Sequence, residues 1–203
     1  TKPIDRLKVP SVWMSDGPNG LRKEKQTGGT NIMQASEIAT CFPTAVTTAS
    51  SWDKDLLKEI GATIADEAKA MKVTTVLGPG INIKRSPLCG RNFEYYSEDP
   101  FLAGTLAANY INGVQSKGVG TSIKHFACNS TEDFRYKADS IVDERALREI
   151  YLRGFEIAVR HAQPWTIMMA YNKINGKYCT ENKYLMEDIL RGEWGFEGLT
   201  VSD

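Results

Sequence analysis

The chain has 203 residues, of which 41% are hydrophobic and 25% are charged, a composition typical of globular proteins. Its 25 Lys and Arg residues balance 25 Asp and Glu residues, so no net positive charge is available to attract nucleic acid or an anionic membrane surface. The longest apolar runs are far shorter than a membrane span. We therefore expect neither a nucleic-acid partner nor a membrane partner.

Cysteine usage and the start of the chain bear on metal binding and location. The four cysteines lie at positions 41, 89, 128 and 179, and the chain has two histidines. No C-x-x-C pair is present, so a structural zinc site is not expected, and reduced thiols are favoured over two distant disulfides. No charged and then apolar leader opens the sequence, which favours a cytoplasmic location, although a chain that begins at Thr1 can lack its natural N-terminus.

The first half of the chain alternates short β-branched runs with one long helical pattern. A strand is predicted over 11–15, and residues 22–50 are loop-like, with a weak strand signal at 41–42. A helix is predicted over 53–72, and the next strand over 73–77. The apolar face predicted for this helix consists of Leu56, Ile60, Ile64, Ala68 and Met71.

The second half repeats a unit of strand, turn and amphipathic helix. Asp99 is a good helix cap and Pro100 fits the first helical turn, so a helix is expected to begin there. The predicted ranges, in chain order, are a helix over 99–118, a strand over 119–123, a helix over 143–162, a strand over 165–170, a helix over 181–194 and a strand over 199–202.

Strands that alternate with helices predict parallel strands joined by crossover helices. Two α/β architectures fit this pattern: a doubly wound open sheet and a (β/α) TIM-type barrel. An open sheet that binds nucleotides would usually carry a glycine-rich phosphate loop after its first strand, and the sequence Asp16-Gly17-Pro18-Asn19-Gly20 does not match one. A full barrel has eight strands, so the five or six predicted here would form an incomplete barrel.

Polar side chains follow the predicted strands where they end. These residues are Asp16, Lys124, His125, Tyr171 and Asp203. The carboxyl ends of barrel strands gather on one face, where active sites are built, so we expect these side chains to lie close together. Hydrogen-bonding groups with one amine and two carboxylates suit a neutral polyol such as a sugar better than a phosphate.

Five segments, in order, resemble the motifs of glycoside hydrolase family 3. They are 15–20, 90–94 with 97–100, 123–126, 168–172 with 175–176, and 195–198 leading to 201–203. The resemblance implies that residues 1–203 form part of that family's N-terminal barrel domain. The remaining barrel strands and the region that bears the acid/base residue would then lie outside this chain.

The resemblance also implies a retaining β-glycosidase that removes terminal non-reducing β-D-glucosyl residues from a β-glucoside or oligosaccharide. Asp203 would be the nucleophile and would form a glycosyl-enzyme, with no metal or organic cofactor. Sugar hydroxyls would be held by Asp16, Arg91, Lys124 and His125, while Tyr171 would line the same pocket. A retaining enzyme needs a second carboxyl as acid, so we expect the isolated chain to be inactive. Because a barrel that lacks strands exposes apolar edges, we also expect the isolated chain to be poorly soluble, oligomeric or completed by a partner.

Alternatives to a glucosidase remain open at this point. Residues 124–130 depart after Phe126 from the loop typical of N-acetylglucosaminidases in the family, and the Asp-Gly-Pro motif at Asp16 is one that many β-xylosidases replace. Both features favour glucose, but β-xylosidase or N-acetylglucosaminidase specificity and a non-catalytic sugar-binding module are kept as alternatives. Arg91 could also serve only to pair with Glu94 or Glu98 within its loop.

Overall fold

The computed structural model describes residues 1–25 and 36–203. Its eight strands are, in chain order, β1 (Met14–Ser15), β2 (Thr75–Val76), β3 (Gly120–Phe126), β4 (Asp139–Ser140), β5 (Thr166–Met169), β6 (Lys173–Ile174), β7 (Lys177–Tyr178) and β8 (Leu199–Ser202). Its α-helices are α1 (Ala45–Ala49), α2 (Lys54–Ala70), α3 (Pro100–Gln115), α4 (Glu144–Ala146) and α5 (Arg153–Ala162). Two segments are π-helical, Leu147–Tyr151 and Tyr184–Glu193. Within the described residues, no helix is both long and apolar enough to cross a membrane.

The main sheet has five parallel strands in the order β1-β2-β3-β5-β8, which follows the chain without reversal. The connecting helices pack side by side in the same sequence, α2 against α3 and α3 against α5. A doubly wound sheet would reverse its strand order at a switch point and place helices on both faces. The incomplete (β/α) barrel is therefore confirmed, and the open-sheet alternative is wrong.

Strand β3 is the centre of the sheet and is buried along its whole length. Phe126, at its end, contacts Phe155 of α5 and Trp194 edge-on, with ring centroids 5.1 Å and 5.8 Å apart. These rings join the strand to the two helical segments that follow it. The polar residues at the end of β3 therefore rest on a packed core.

Helices α2 and α3 cross with their backbones in direct contact. A side chain at Gly61 would place its Cβ atom 2.4 Å from the carbonyl oxygen of Tyr110. A side chain at Gly113 would place its Cβ atom 2.1 Å from the carbonyl oxygen of Lys58. Glycine is needed at both positions because any larger residue would push the helices apart.

Both long helices begin as the sequence predicts. The Asp53 carboxylate accepts hydrogen bonds from the backbone N–H groups of Asp55 and Leu56 at the start of α2. The Asp99 carboxylate does the same at the start of α3, where Pro100 occupies the first helical position. These caps satisfy N–H groups that have no partner inside the helix.

Several predicted elements differ from the structure. The inward face of α2 contains Leu57, which is 1% exposed, whereas the predicted Leu56 is 38% exposed. The segment 22–50, predicted to be loop-like, contains α1, and its residues 26–35 lie outside the described residues. The weak strand signal at 41–42 corresponds to no strand. The helix predicted over 143–162 is interrupted by a π-helical turn. The predicted strand 119–123 extends to Phe126, so Lys124 and His125 lie within β3.

A second small sheet was absent from the prediction. It contains β4, β6 and β7, with β4 parallel to β6 and β6 antiparallel to β7. Each of these strands has two residues, which is too short to show an alternating pattern of polar and apolar side chains. The sheet ties the segment after β3 to the turn after β5, beside the strand ends of the barrel.

The burial of α2 gives a matched test of the fold. We expect Leu57→Ala to lower the free energy of unfolding by about 2–5 kcal/mol, because it leaves a cavity in the core. The neighbouring substitution Leu56→Ala is expected to change it by only about 0.5 kcal/mol, since that side chain is partly in solvent. Denaturant unfolding of the two variants would measure both values, and equal losses would contradict the placement of this helix.

Candidate active site

The structure brings the predicted strand-end residues to one edge of the main sheet. The Lys124 amine in β3 lies 3.3 Å from an Asp16 carboxylate oxygen after β1. The next residue, His125, has its Nε2 atom 3.5 Å from an Asp203 carboxylate oxygen after β8. β1 and β8 are the two edge strands of the sheet. The residues that follow them, Asp16 and Asp203, therefore contact two consecutive residues of the central strand β3.

Two consecutive residues of a regular strand would point to opposite faces, yet Lys124 and His125 both reach this site. The pairing register between β3 and β5 shifts between Ile123 and Phe126. Such irregularities change the direction of side chains and are common beside functional sites. Lys124 and His125 are 3% and 1% exposed, so both are held by their surroundings.

A buried carboxylate organises the cations of the site. Glu94 forms an ion pair with Arg91, and its other oxygen lies 3.7 Å from the Lys124 amine. Burial alone would lower the pKa of Arg91, but the bond to Glu94 and nearby negative groups raise it overall, so the guanidinium is charged. The Arg91–Glu94 pairing anticipated from the sequence is present, and Lys124 joins it.

An open cleft of about 320 Å³ lies beside these charges. It is lined by the turn after Asp16 and by Arg91, Phe93, Glu94 and Lys124. The cleft offers donors from three cations, Arg22, Arg91 and Lys124, and acceptors from two carboxylates, with one aromatic ring at its wall. This lining suits a small polar ligand with several hydroxyl groups.

His125 occupies the other half of the site and is neutral. Burial lowers its pKa well below the usual value, and the positive charges of Arg91, Lys124 and Arg135 lower it further. Its Nδ1 atom lies 2.9 Å from the Tyr95 hydroxyl. A neutral ring places no positive charge beside its neighbour Asp203.

Tyr171 lies next to Asp203 and is not among the residues that line the cleft. Burial and the Asp203 carboxylate together raise the pKa of Tyr171 to about 12, so its hydroxyl keeps its proton. Its ring packs on Tyr136, with centroids 4.6 Å apart, and the Arg135 guanidinium lies 4.6 Å from the same ring. This cluster forms an aromatic wall beside the carboxylate.

Four residues near the site were missed or undervalued by the sequence analysis: Glu94, Tyr95, Glu132 and Arg135. Glu94 was considered only as a local partner of Arg91. The run Phe134-Arg135-Tyr136, shortly after the Lys124-His125 pair, was the available signal for the aromatic wall. Tyr95 and Glu132 gave no signal, because their roles depend on contacts between distant segments.

The assembled groups can act on an electron-poor carbon. Asp203 is a carboxylate beside a neutral histidine and a protonated tyrosine, and a positioned carboxylate can act as a nucleophile. The cations and Asp16 can hold hydroxyl groups on the cleft side, where charged side chains make strong hydrogen bonds.

Comparison with known proteins places this arrangement in a family. A protein-family model described as "Glycosyl hydrolase family 3 N terminal domain" matches residues 5–203. Thermostable beta-glucosidase B of Acetivibrio thermocellus is 55% identical over 203 residues, which is all of this chain and 27% of that protein. An exo-alpha-(1->6)-L-arabinopyranosidase of Bifidobacterium longum is 52% identical over 201 residues, or 98% of this chain and 27% of that protein.

A solved structure has the same fold. Beta-glucosidase 3B of Thermotoga neapolitana, in complex with glucose, superimposes with a TM-score of 0.93 and 50% sequence identity. The match covers all of this chain and 28% of that chain, so these 203 residues span about a quarter of the proteins they resemble. Because the family model matches nearly the whole length of this chain, the chain belongs to glycosyl hydrolase family 3, as part of its N-terminal domain.

Proposed function

We propose that the protein to which this chain belongs is a retaining β-glycosidase that removes terminal non-reducing β-D-glucosyl residues. The observation that carries the proposal is the Asp203 carboxylate, which lies at the end of β8 with an oxygen 3.5 Å from His125 Nε2. An Asp203 oxygen would bond to the anomeric carbon as the glycosidic C–O bond breaks and a general acid protonates the leaving oxygen. Water would then hydrolyse the glycosyl ester.

The cleft side of the site would hold the sugar. The Asp16 side chain is half exposed, so its oxygens can accept from sugar hydroxyls while one of them contacts Lys124. Arg91 and Lys124 would donate to neighbouring hydroxyls, with Glu94 compensating their charge. The relatives named beta-glucosidases, one of them solved with glucose, support this substrate class.

The general acid of this reaction is proposed to lie outside residues 1–203. Asp16 and Glu94 are engaged with Lys124 and Arg91, where they serve as hydrogen-bond acceptors. A retaining enzyme needs a carboxyl group about 5–5.5 Å from its nucleophile that can give up a proton. The chain spans about a quarter of its relatives, which leaves ample sequence for that residue in the whole protein.

A second specificity has a direct observation in its favour. The arabinopyranosidase relative is nearly as similar to this chain as the glucosidase relative, at 52% against 55% identity. An arabinopyranoside lacks the hydroxymethyl group that a glucoside carries at C6. Glucose is favoured because Asp16 provides an exposed acceptor for an additional hydroxyl.

The nucleophile can be identified by trapping the intermediate. We expect the full-length protein, incubated with a 2-deoxy-2-fluoro-β-glucoside that has a good leaving group, to retain one fluoroglucosyl unit on the peptide containing Asp203. The fluorine slows hydrolysis of the glycosyl ester, so mass spectrometry can detect the adduct. Asp203→Asn should abolish labelling.

The other outcomes of this experiment have distinct meanings. Label on another carboxylate would contradict the role of Asp203. Glucose binding with neither label nor hydrolysis would indicate the sugar-binding module. Faster hydrolysis of nitrophenyl α-L-arabinopyranoside than of nitrophenyl β-D-glucoside would indicate the second specificity, and parallel assays with the β-xyloside and β-N-acetylglucosaminide test the remaining two.

Glu94 and Glu98 form a matched pair for testing the charge arrangement. Glu94→Gln leaves Arg91 and Lys124 without their shared anion, so we expect a raised KM for the glucoside and a loss of about 3–5 kcal/mol in unfolding free energy. Glu98 is exposed, and Glu98→Gln is expected to leave both quantities almost unchanged. Steady-state kinetics and thermal unfolding of the full-length variants would decide, and indistinguishable variants would contradict the role of Glu94.

A further inference from the structure

A chain of polar groups with a buried centre leads from the loop after β3 to the immediate surroundings of Asp203. It contains Glu132, Asn129, Tyr95, His125 and Asp203. Successive distances are 3.0 Å from the Asn129 amide nitrogen to Glu132, 3.1 Å from that nitrogen to the Tyr95 oxygen, 2.9 Å from Tyr95 to His125 Nδ1 and 3.5 Å from His125 Nε2 to Asp203. Tyr95, Asn129 and His125 are each at most 1% exposed. Solvent therefore does not compete for the bonds among these three residues, whereas Glu132 and Asp203 at the two ends are partly exposed.

The direction of the first bonds follows from the chemistry of the groups. An ionised Glu132 can only accept, so the Asn129 side chain must turn its NH₂ group towards it. The same nitrogen donates its second hydrogen to the Tyr95 oxygen. Asn82 holds the Asn129 backbone in place by bonding both its N–H and its carbonyl, each at 2.8 Å.

Tyr95 transmits this direction to His125. Its oxygen accepts from Asn129, so its single hydroxyl hydrogen is available to His125 Nδ1 at 2.9 Å. Burial raises the pKa of Tyr95 well above its usual value, which keeps that hydrogen on the oxygen. The Nδ1 atom of His125 is thereby an acceptor.

The remaining proton of the neutral His125 ring must then lie on Nε2, which faces the Asp203 carboxylate. The opposite tautomer would turn the lone pair of Nε2 towards a negatively charged oxygen. The charged and titratable groups that face the ring are Arg91, Lys124, Arg135, Tyr95 and Asp203. The three cations disfavour a second proton on the ring.

We propose that Tyr95 and Asn129 are positioning residues that hold neutral His125 in its Nε2–H tautomer, so that the protonated nitrogen is the one nearest Asp203. The catalytic consequence rests on the proposed function, because it concerns the orientation of the proposed nucleophile. An N–H group 3.5 Å from one carboxylate oxygen attracts that oxygen and favours the observed rotation of the Asp203 side chain, whereas a lone pair at the same place would repel it. The tautomer itself is a property of the chain and can be tested without an assay of catalysis.

The direct test is ¹⁵N spectroscopy of histidine rings in the full-length protein. The His125 resonances would be assigned by their absence in His125→Gln. We expect Nε2 to carry the proton and Nδ1 to be bare from pH 5 to pH 8. A proton on Nδ1, or a ring that titrates in this interval, would overturn the proposal. This result holds even if the wild-type protein hydrolyses no glucoside, which would count against the proposed function alone.

A double-mutant cycle tests whether Tyr95 acts through His125. We expect Tyr95→Phe to lower kcat/KM for nitrophenyl β-D-glucoside by a factor of about 10 to 100, because Nδ1 loses its donor. In a His125→Gln background the same change should have little further effect, because the ring that Tyr95 orients is gone. Losses that add fully would show that Tyr95 acts elsewhere and would overturn the proposal.

Tyr110→Phe is the matched control for removal of a buried hydroxyl. The Tyr110 hydroxyl is buried and has no hydrogen-bond partner among the described residues. Its removal should change kcat/KM less than twofold, and a loss as large as that of Tyr95→Phe would overturn the specific role of Tyr95.

If Tyr95→Phe does not fold, Asn129→Ala removes the group that orients the Tyr95 hydroxyl. Its loss of activity must likewise disappear in the His125→Gln background, and an additive loss overturns the proposal.

Discussion

The Glu94 carboxylate lies between two cations, the partly buried Arg91 and the buried Lys124, at the end of the central strand. Removing two positive charges from water is costly unless a negative group accompanies them. The negative charge of Glu94 therefore allows β3 to hold a buried lysine at its end. Through Lys124 the same interaction extends to Asp16, so it connects the loop before α3 with the ends of β3 and β1. These ion pairs hold together the three segments that line the cleft.

The site is divided into a charged half and a neutral half. Arg91, Lys124 and Asp16 provide ionic groups on the cleft side, where a polar ligand would replace water. Asp203 instead has a neutral imidazole and a protonated tyrosine as neighbours. Such neutral partners orient the carboxylate. A tight ion pair would also orient it, but would reduce its reactivity as a nucleophile. The division agrees with the roles proposed for the two halves, in which one holds the sugar and the other carries the nucleophile.

Local patterns predicted the barrel strands and the start of both long helices, because caps such as Asp53 and Asp99 act over a few residues. The five residues at the strand ends were predicted for the same reason. Long-range partners were beyond such patterns: Glu94 was assigned only to Arg91, and Tyr95 reaches His125 across 30 positions. The choice between Leu56 and Leu57 was also undetermined, since adjacent leucines differ by 100° around a helix and tertiary packing selects between them.

The glycine crossing of α2 and α3 has a consequence for how the family can diversify. At Gly61 and Gly113 the spacing of neighbouring barrel units is set by main-chain atoms, which do not change when side chains are exchanged. The separation of these two helices therefore does not depend on which side chains the strand ends carry. A scaffold of this kind allows substitutions to change the pocket while the frame keeps its dimensions, and relatives named for different sugars each match this chain at 52–55% identity.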